Sequence, residues 1–241
     1  MLTWTKVEVF GDSILKGIQL NISNMRYQVD NNIDVKAIER KHSLSIMNYS
    51  KFGCTVTKGL ALIEKHLKND ENKCDAIVMN YGGNDCDFDW KAVSESPEAD
   101  HQPNTPLDAF TETYRKIILL IMDRGIRPVI TTLPPLDAQR FFNWFCGRFN
   151  KDNVLKWLGG VESIYRWQEN YSRTVEKIAA DTGALLVDLR GAFLKHRKLQ
   201  HLLCFDGAHP NTEGQKVITQ EFLDFVSRVL PNREPQSVNW F

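Results

Sequence analysis

Residues 6–13 read KVEVFGDS, an apolar strand pattern that runs directly into glycine, aspartate and serine. The alternating valines predict a β-strand over residues 6–10. Gly11 permits a sharp turn after this strand, so we expect the Ser13 hydroxyl to be exposed at the N-terminus of a following helix. The other interpretation is that Ser13 simply caps that helix.

The same unit of strand, turn and helix repeats along the chain. Further apolar runs predict strands at residues 44–49, 76–79, 128–132 and 184–187. Apolar residues at helical spacing predict helices around 60–67, 110–121, 164–178 and 218–229, the last capped by Thr212. Strands that alternate with helices imply parallel pairing through right-handed crossovers. The sequence therefore predicts a three-layer, doubly wound α/β domain around a five-stranded, mostly parallel sheet.

The residues that follow the strands are the candidates for a functional site, because the ligand crevice of such a sheet lies outside the carboxyl ends of its strands. Gly53 follows the second strand, where the missing side chain lets a backbone amide approach a ligand closely. Asn84 and Asp85 follow the third strand in the sequence YGGND, and Asn84 offers a side-chain amide donor. Turn chemistry alone is the alternative explanation for both segments.

Asp206 and His209 stand three residues apart in FDGAHP, just before the last predicted helix. This spacing lets the carboxylate reach the Nδ1 proton of the ring, which would leave Nε2 free to accept the Ser13 proton. A serine hydroxyl needs such a base, since it is a poor nucleophile at neutral pH. The alternative is a helix-capping aspartate beside a surface histidine.

Four segments together resemble the signature blocks of the SGNH, or GDSL-like, hydrolases. They stand in the family's order, after the first three predicted strands and before the last helix, at residues 11–13, 48–53, 82–85 and 206–210. The resemblance therefore spans nearly the whole chain. Two positions depart from the family's pattern without removing a reacting group, namely Ile14, where a leucine is usual, and Ser50, where a glycine is common.

The resemblance implies a flavodoxin-like SGNH hydrolase fold and a serine esterase, and we expect neither cofactor nor metal. Ser13 would attack an ester carbonyl with His209 as general base and Asp206 behind it, giving an acyl-enzyme that water then hydrolyses. The oxyanion hole would consist of the Ser13 and Gly53 amides and the Asn84 side chain.

A single domain is predicted over residues 1–231, with insertions at about 86–106 and 134–160 and a tail at 232–241. The first insertion is polar and holds three prolines, so it reads as a loop, while the second is rich in aromatic residues. Both follow strand ends and could roof the crevice. The candidates for substrate binding are Asp12, Asp85 and Trp144.

Charge and composition restrict the partners. Thirty basic residues balance thirty acidic ones, so the chain lacks the electrostatic footprint of a protein that binds nucleic acid or an anionic membrane. No run of 18 apolar residues occurs, and the N-terminus lacks a secretory signal pattern. The five cysteines form no CxxC pair, which argues against a disulfide framework. We expect a cytoplasmic protein that binds a small-molecule ester and could form a homo-oligomer.

Two other classes of function stay open at this point. A non-catalytic module could bind carbohydrate by stacking Trp144 and Trp157 on sugar rings, although such aromatic clusters more often form core or dimer contacts. A metal-dependent phosphoesterase would need more histidines than this chain offers, and it has no His-x-His pair. The side chains available to such a metal site are Asp12, Asn84, Asp85, Asp206 and His209.

Charge and composition also favour some ester substrates over others. Short-chain or acetyl esters, including those on carbohydrate, are favoured over phospholipids because the chain has no net charge and no amphipathic membrane helix. Lysophospholipase, thioesterase and acyltransferase activities would use the same residues.

Overall fold

The structure, a computed structural model, describes residues 4–29, 35–69 and 73–230. Within these ranges the strands are β1 (Lys6–Gly11), β2 (Ile18–Asn21), β3 (Arg26–Val29), β4 (Ser45–Asn48), β5 (Ala76–Asn80), β6 (Arg127–Thr131) and β7 (Leu185–Val187). The helices are α1 (Val35–His42), α2 (Val56–Leu67), α3 (Trp90–Glu95), α4 (Leu107–Met122), α5 (Ala138–Phe145), α6 (Lys151–Leu158), α7 (Glu162–Thr182), α8 (Leu189–Leu194) and α9 (Thr212–Val229). The predicted tail at 232–241 lies outside the described residues, and the division into one domain with two insertions stays a prediction.

Five of the strands form one parallel sheet in the order β4-β1-β5-β6-β7. β1 lies inside the sheet, where Val9 pairs with Asn48 of β4 on one side and with Val78 of β5 on the other. The chain therefore winds outward from β1 in both directions, which is the flavodoxin-like order, and its switch point lies between β1 and β5. The predicted doubly wound α/β fold is confirmed.

Helices cover both faces of this sheet. On one face Phe10 packs with buried residues of α2, α4 and α7, and on the other Val7 and Val129 pack with residues of α1, α8 and α9. Successive side chains of a strand point to opposite faces, so β1 is buried on both. Its acidic member, Glu8, is also buried and lies 2.7 Å from Nε2 of His66 on α2.

The segment after Ser13 differs from the prediction. No helix follows this serine, because the chain makes a short turn in which the Ile18 amide donates to the Ser13 carbonyl at 2.9 Å. It then enters an antiparallel hairpin of β2 and β3, in which Leu20 pairs with Tyr27. Ile18 and Leu20 are buried on alternate positions of β2, a strand pattern too short to stand out in the sequence. Both helix-based interpretations of Ser13 are therefore wrong.

Two further local predictions need correction. The cap of α9 is Asn211, whose side chain accepts from the Gly214 amide at 3.1 Å, and Thr212 is instead the first helical residue. The segment 86–106, read as a loop, contains α3. This short helix begins after Asp89, whose carboxylate accepts from two amides of its first turn.

The aromatic insertion at 134–160 folds into α5, a 3-10 turn and α6. Together with α3 and the start of α7 these elements form a third apolar cluster, separate from the two faces of the sheet. Trp90 stacks on Phe145 with ring centroids 4.1 Å apart, and Trp157 meets Trp167 at 5.2 Å. Most of the aromatic residues of the insertion thus build core. Among the described helices, none has the length and apolar character needed to cross a membrane.

Candidate active site

Ser13 lies just beyond the carboxyl end of β1, in the turn that leads to the hairpin. Its Oγ is 2.9 Å from Nε2 of His209, although 196 residues separate the two in sequence. Nδ1 of His209 is 2.7 Å from Oδ2 of Asp206. The loop that carries both residues directly precedes α9, and α9 packs on the face of the sheet to which β1 contributes Val7. The fold therefore brings together the three side chains predicted to act together.

This chain of contacts can move a proton. A carboxylate bound to the Nδ1 proton fixes the neutral ring in the form whose Nε2 carries a lone pair. That lone pair faces the Ser13 hydroxyl, so the ring can take the serine proton, and the imidazolium that results is stabilised by Asp206.

The conformation of the loop 206–209 depends on its contact with α5. Gly207 has φ +73°, a left-handed conformation that side chains disfavour. A Cβ at this position would also lie 2.6 Å from Cβ of Arg140 and 2.7 Å from the carbonyl oxygen of Asp137. The contact is polar as well, because the Asp137 amide donates to the Gly207 carbonyl at 2.8 Å. The start of the aromatic insertion is therefore part of the support of the loop.

Asp206 is 1% exposed, yet it is held in its charged form. Burial by itself would raise its pKa, but the hydrogen bond and charge of the His209 ring and the amides of Ala208 and His209 lower it by more, so the pKa lies below its ordinary value. The two amides donate to Oδ1 at 3.0 and 3.1 Å.

Two of the predicted oxyanion donors, Ser13 and Asn84, line one cavity, and the third, Gly53, follows the lining residue Phe52. Gly53 has φ +66°, and a Cβ built there would meet nothing within 4 Å, so the space in front of this residue is open. Within residues 4–29, 35–69 and 73–230, the amides of Ser13 and Gly53 donate to no protein acceptor. Nδ2 of Asn84 lies 3.4 Å from the carbonyl oxygen of Cys54, the neighbour of Gly53. The two amides therefore lack a protein acceptor among the described residues, and the Asn84 contact with Cys54 is long.

The Asp12 carboxyl group accepts a hydrogen bond from the Asn84 side chain and so orients its amide. Nδ2 of Asn84 donates to Oδ2 of Asp12 at 3.1 Å, and the Ile14 amide donates to Oδ1 at 2.8 Å. Burial raises the pKa of Asp12 to about 7, against the opposing effects of the Ile14 amide and the His209 charge. Asp12 lines the cavity beside Ser13, so its predicted role toward substrate stays open.

The structure places the other two substrate-binding candidates outside the described cavity lining. Asp85 is fully buried outside the cavity lining, and its carboxylate accepts from the Val56 amide at 2.9 Å, at the start of α2. Burial raises its pKa to about 6. Trp144 is also absent from the described lining and instead contacts Tyr27 and Phe205, with ring centroids 6.4 and 6.2 Å away. Asp85 therefore supports the fold, and Trp144 supports neighbours of the site.

A cavity of about 290 Å³ opens beside Ser13 and His209. Its apolar wall comes mainly from the third cluster and the loop after β6, as Trp90, Leu133, Leu136, Phe141, Ile164 and Trp167. Its polar groups include Asp87, whose pKa burial raises to about 6 although the Trp90 ring donates to it at 2.7 Å. Among the described lining residues, none is lysine or arginine.

Sequence reasoning missed most of these residues, and above all Tyr27 of the hairpin. The signal that could have found the hairpin is the alternation of apolar and polar residues in IQLN and RYQV, separated by the four residues ISNM. For Trp90 and Trp167 the only signal was their aromatic character, since they stand 77 positions apart by their residue numbers on two different helices.

A metal centre would need several ligands around one point. Among the residues that the structure describes, no group of three or more histidine, cysteine, aspartate or glutamate side chains is arranged to hold a metal ion. Of the residues considered for such a site, Asp206 faces His209 and Asp12 faces Asn84.

Comparison with known proteins gives a family for this arrangement. Residues 9–217 match the model of the GDSL-like Lipase/Acylhydrolase family. A GDSL esterase/lipase of Arabidopsis thaliana is 22% identical over 191 residues, which are 78% of this chain and 67% of that protein. The matched range includes Ser13, Asn84 and His209.

Solved structures agree on the fold. The lipase/acylhydrolase from Enterococcus faecalis superimposes with a TM-score of 0.66 at 18% identity, over 96% of this chain and 100% of that one. An acetylxylan esterase from Geobacillus stearothermophilus, solved as a catalytic mutant, gives 0.62 at 19% identity, over 91% and 93%. At these identities the likeness concerns the fold alone.

Proposed function

The chain belongs to the GDSL-like lipase/acylhydrolase family and is a serine hydrolase that acts on esters, and from this premise we propose that it cleaves short, uncharged carboxylic esters through an acyl-enzyme on Ser13. The observation that carries the proposal is the continuous hydrogen-bonded chain from Ser13 through His209 to Asp206, at the edge of a cavity with apolar walls.

In the first step the Ser13 oxygen attacks the ester carbonyl carbon while its proton passes to Nε2 of His209. The distance of 2.9 Å between these atoms is within the range for such a transfer. Asp206 stays ionised throughout and stabilises the imidazolium, which agrees with the lowered pKa of its carboxyl group.

Negative charge then develops on the former carbonyl oxygen. The free amides of Ser13 and Gly53 and one hydrogen of the Asn84 side chain would stabilise it. Asn84 has two hydrogens on Nδ2, so one can remain on Asp12 while the other, whose 3.4 Å contact with the Cys54 carbonyl is long, is shared with the oxyanion.

Collapse of this intermediate breaks the bond to the alcohol oxygen, which receives the proton from His209. Water then attacks the acyl-enzyme with His209 again as the base, and Ser13 is regenerated. If another alcohol takes the place of that water, the same residues transfer the acyl group.

Two properties of the cavity favour an uncharged and short substrate. No lysine or arginine is among the described lining residues, so a phosphate or carboxylate on the substrate would find no cationic partner there. Its volume of about 290 Å³ lies at the lower end for small-molecule sites. Both properties weigh against lysophospholipids and acyl-CoA thioesters.

The nucleophile is tested with the purified protein and an aryl acetate. Ser13→Ala is expected to lower kcat by at least about 10⁴-fold, since the triad acts as a unit. Ser227→Ala, a serine on the outer part of α9, serves as the matched control and should retain full activity. Hydrolysis by Ser13→Ala at the unaltered rate, or loss of activity with a chelator, would contradict the proposal.

The substrate class is tested with a panel of esters at equal concentration. Acetyl and butyryl esters of aryl alcohols and of sugars should be cleaved faster than lysophospholipids and acyl-CoA. A preference for either anionic substrate would refute the uncharged-ester part and leave the Ser13 assignment intact. Including an excess of free alcohol and analysing the products separates hydrolysis from acyl transfer.

A further inference from the structure

The hairpin that sequence reasoning missed carries a contact to the proposed base. Tyr27 of β3 donates its hydroxyl hydrogen to Oδ2 of Asp206 at 3.0 Å, the same oxygen that faces Nδ1 of His209. The register of the hairpin fixes this tyrosine, because it pairs with Leu20, whose side chain is buried.

The Tyr27 hydroxyl completes the set of hydrogen-bond donors to the Asp206 carboxylate. A carboxylate has about four acceptor positions, two on each oxygen. In Asp206, Oδ1 receives the amides of Ala208 and His209, and Oδ2 receives the His209 ring and the Tyr27 hydroxyl. Tyr27 is the one donor of these four that does not belong to the loop 206–209 itself. It therefore ties the carboxylate to a different part of the chain.

The ring of Tyr27 also covers the base. It lies against the His209 ring with centroids 4.9 Å apart and contacts Phe52 at 5.3 Å and Trp144 at 6.4 Å. The hydroxyl donates to Asp206, and burial, the Asp206 charge and the nearby Cys204 thiol raise its pKa, so it stays protonated as a donor.

We propose that Tyr27 is a positioning residue, which holds the Asp206 carboxylate in the rotamer that meets His209 and limits how strongly that carboxylate attracts the ring proton. The inference rests on the proposed function, in which His209 is the base. Trp144 acts one step further out, by supporting Tyr27. The hairpin thereby becomes part of the catalytic apparatus although it contributes no reacting group.

Tyr27→Phe removes the hydroxyl and keeps the ring. With one donor fewer, the buried carboxylate attracts the imidazolium more strongly, so the acid limb of kcat/KM should move to higher pH by about half a unit. We expect kcat at its plateau to fall roughly three- to tenfold through looser positioning, and KM to change less than about twofold because the ring remains. The measurement is a pH–rate profile with an aryl acetate.

Two controls separate the hydroxyl from general effects. Tyr49→Phe, at a ring that packs on Phe10 and His66 on the other side of β1, should leave the profile unchanged. Phe52→Leu removes a ring that contacts both His209 and Tyr27 but leaves the Tyr27 hydroxyl on Asp206, so it should leave the acid limb in place even if KM rises.

The outcomes can be distinguished. If Tyr27→Phe lowers kcat at every pH with an unmoved acid limb, or has the profile of the parent protein, the positioning role is refuted while Ser13→Ala still decides the proposed function. If Ser13→Ala retains activity, the proposed function itself fails. Thermal melting of each variant shows whether a loss of activity reflects a loss of fold.

Discussion

Two carboxylates flank Ser13, and they show opposite behaviour at equal burial. Asp206 and Asp12 are each 1% exposed. The pKa of Asp206 lies below its ordinary value, whereas burial raises the pKa of Asp12 to about 7. Asp206 receives four donors including the His209 ring, and Asp12 receives two, from Ile14 and Asn84. At equal exposure, the number and charge of the donors therefore decide whether the effect of burial on the pKa is outweighed.

The difference matches what each end of the proposed site must do. The base end needs a permanent negative charge to stabilise an imidazolium. The oxyanion end needs the reverse, because a full charge on Asp12 would repel the negative charge that develops on the substrate. A carboxyl group whose pKa is raised to about 7 is largely neutral below that pH and can still orient Asn84. Substitutions at each end test this contrast.

The largest effect is expected at the base end. Asp206→Asn should lower kcat by about 10⁴-fold, because an amide favours the wrong tautomer of His209 and cannot stabilise its charged form. The loss is measured by steady-state hydrolysis of an aryl acetate. Asp181→Asn, which alters only a partly exposed ion pair with Arg115, is the control and should be fully active. A loss below about tenfold would show that Asp206 does not act on the base.

At the oxyanion end a single donor is at stake. Asn84→Ala should lower kcat by about 100- to 1,000-fold with a small change in KM, because the donor acts on the transition state more than on the bound ester. Steady-state kinetics on the same ester give both constants. Asn170→Ala, on the exposed side of α7, provides the comparison. A rise in KM with kcat unchanged would place Asn84 in ground-state binding instead.

The two carboxylates should also contribute to the stability of the folded protein in opposite pH ranges. For Asp12 the folded pKa is raised to about 7, so the folded state holds a proton that the unfolded state has lost, and its contribution falls as pH rises from about 4 to 7. Asp206, with a lowered pKa, contributes stability above its unfolded pKa and loses it as pH falls through its folded pKa. From pH 4 to pH 7 the free energy of unfolding of Asp12→Asn, measured in urea, should therefore rise relative to that of the parent protein by about a few kcal/mol. If the two proteins differ in this free energy by the same amount at both pH values, the raised pKa of Asp12 is contradicted.

The smallest effect is expected on the rate at alkaline pH. As Asp12 ionises above about pH 7, its charge should lower kcat by roughly a few-fold in the parent protein. Asp12→Asn should lack this decline. Profiles of kcat from pH 6 to 9 at constant ionic strength provide the test, and a decline of the same size in both proteins would mean that another group titrates.

The residues in and around the proposed site were unequally predictable from the sequence. Ser13, Asn84 and His209 stand in local blocks whose residue types the chemistry itself requires, and the strands before them follow from apolar runs. Tyr27 could not be found in this way, because its role depends on a contact with a residue 179 positions later in the chain. Asp85 and Trp144 show the converse: each has a suitable side chain near a motif, but the backbone turns it toward the start of α2 or toward Tyr27.

The close contact between Gly207 and the start of α5 has a consequence for engineering. Segments that wall a substrate cavity are natural targets for exchange between relatives, with the aim of changing which ester is accepted. Residues 134–160 cannot be exchanged independently of the rest of the site, because Asp137 and Arg140 also contact the loop that carries Asp206 and His209. A chimera that replaces the segment must keep the Asp137 amide and the space around Gly207, or it will alter turnover together with specificity.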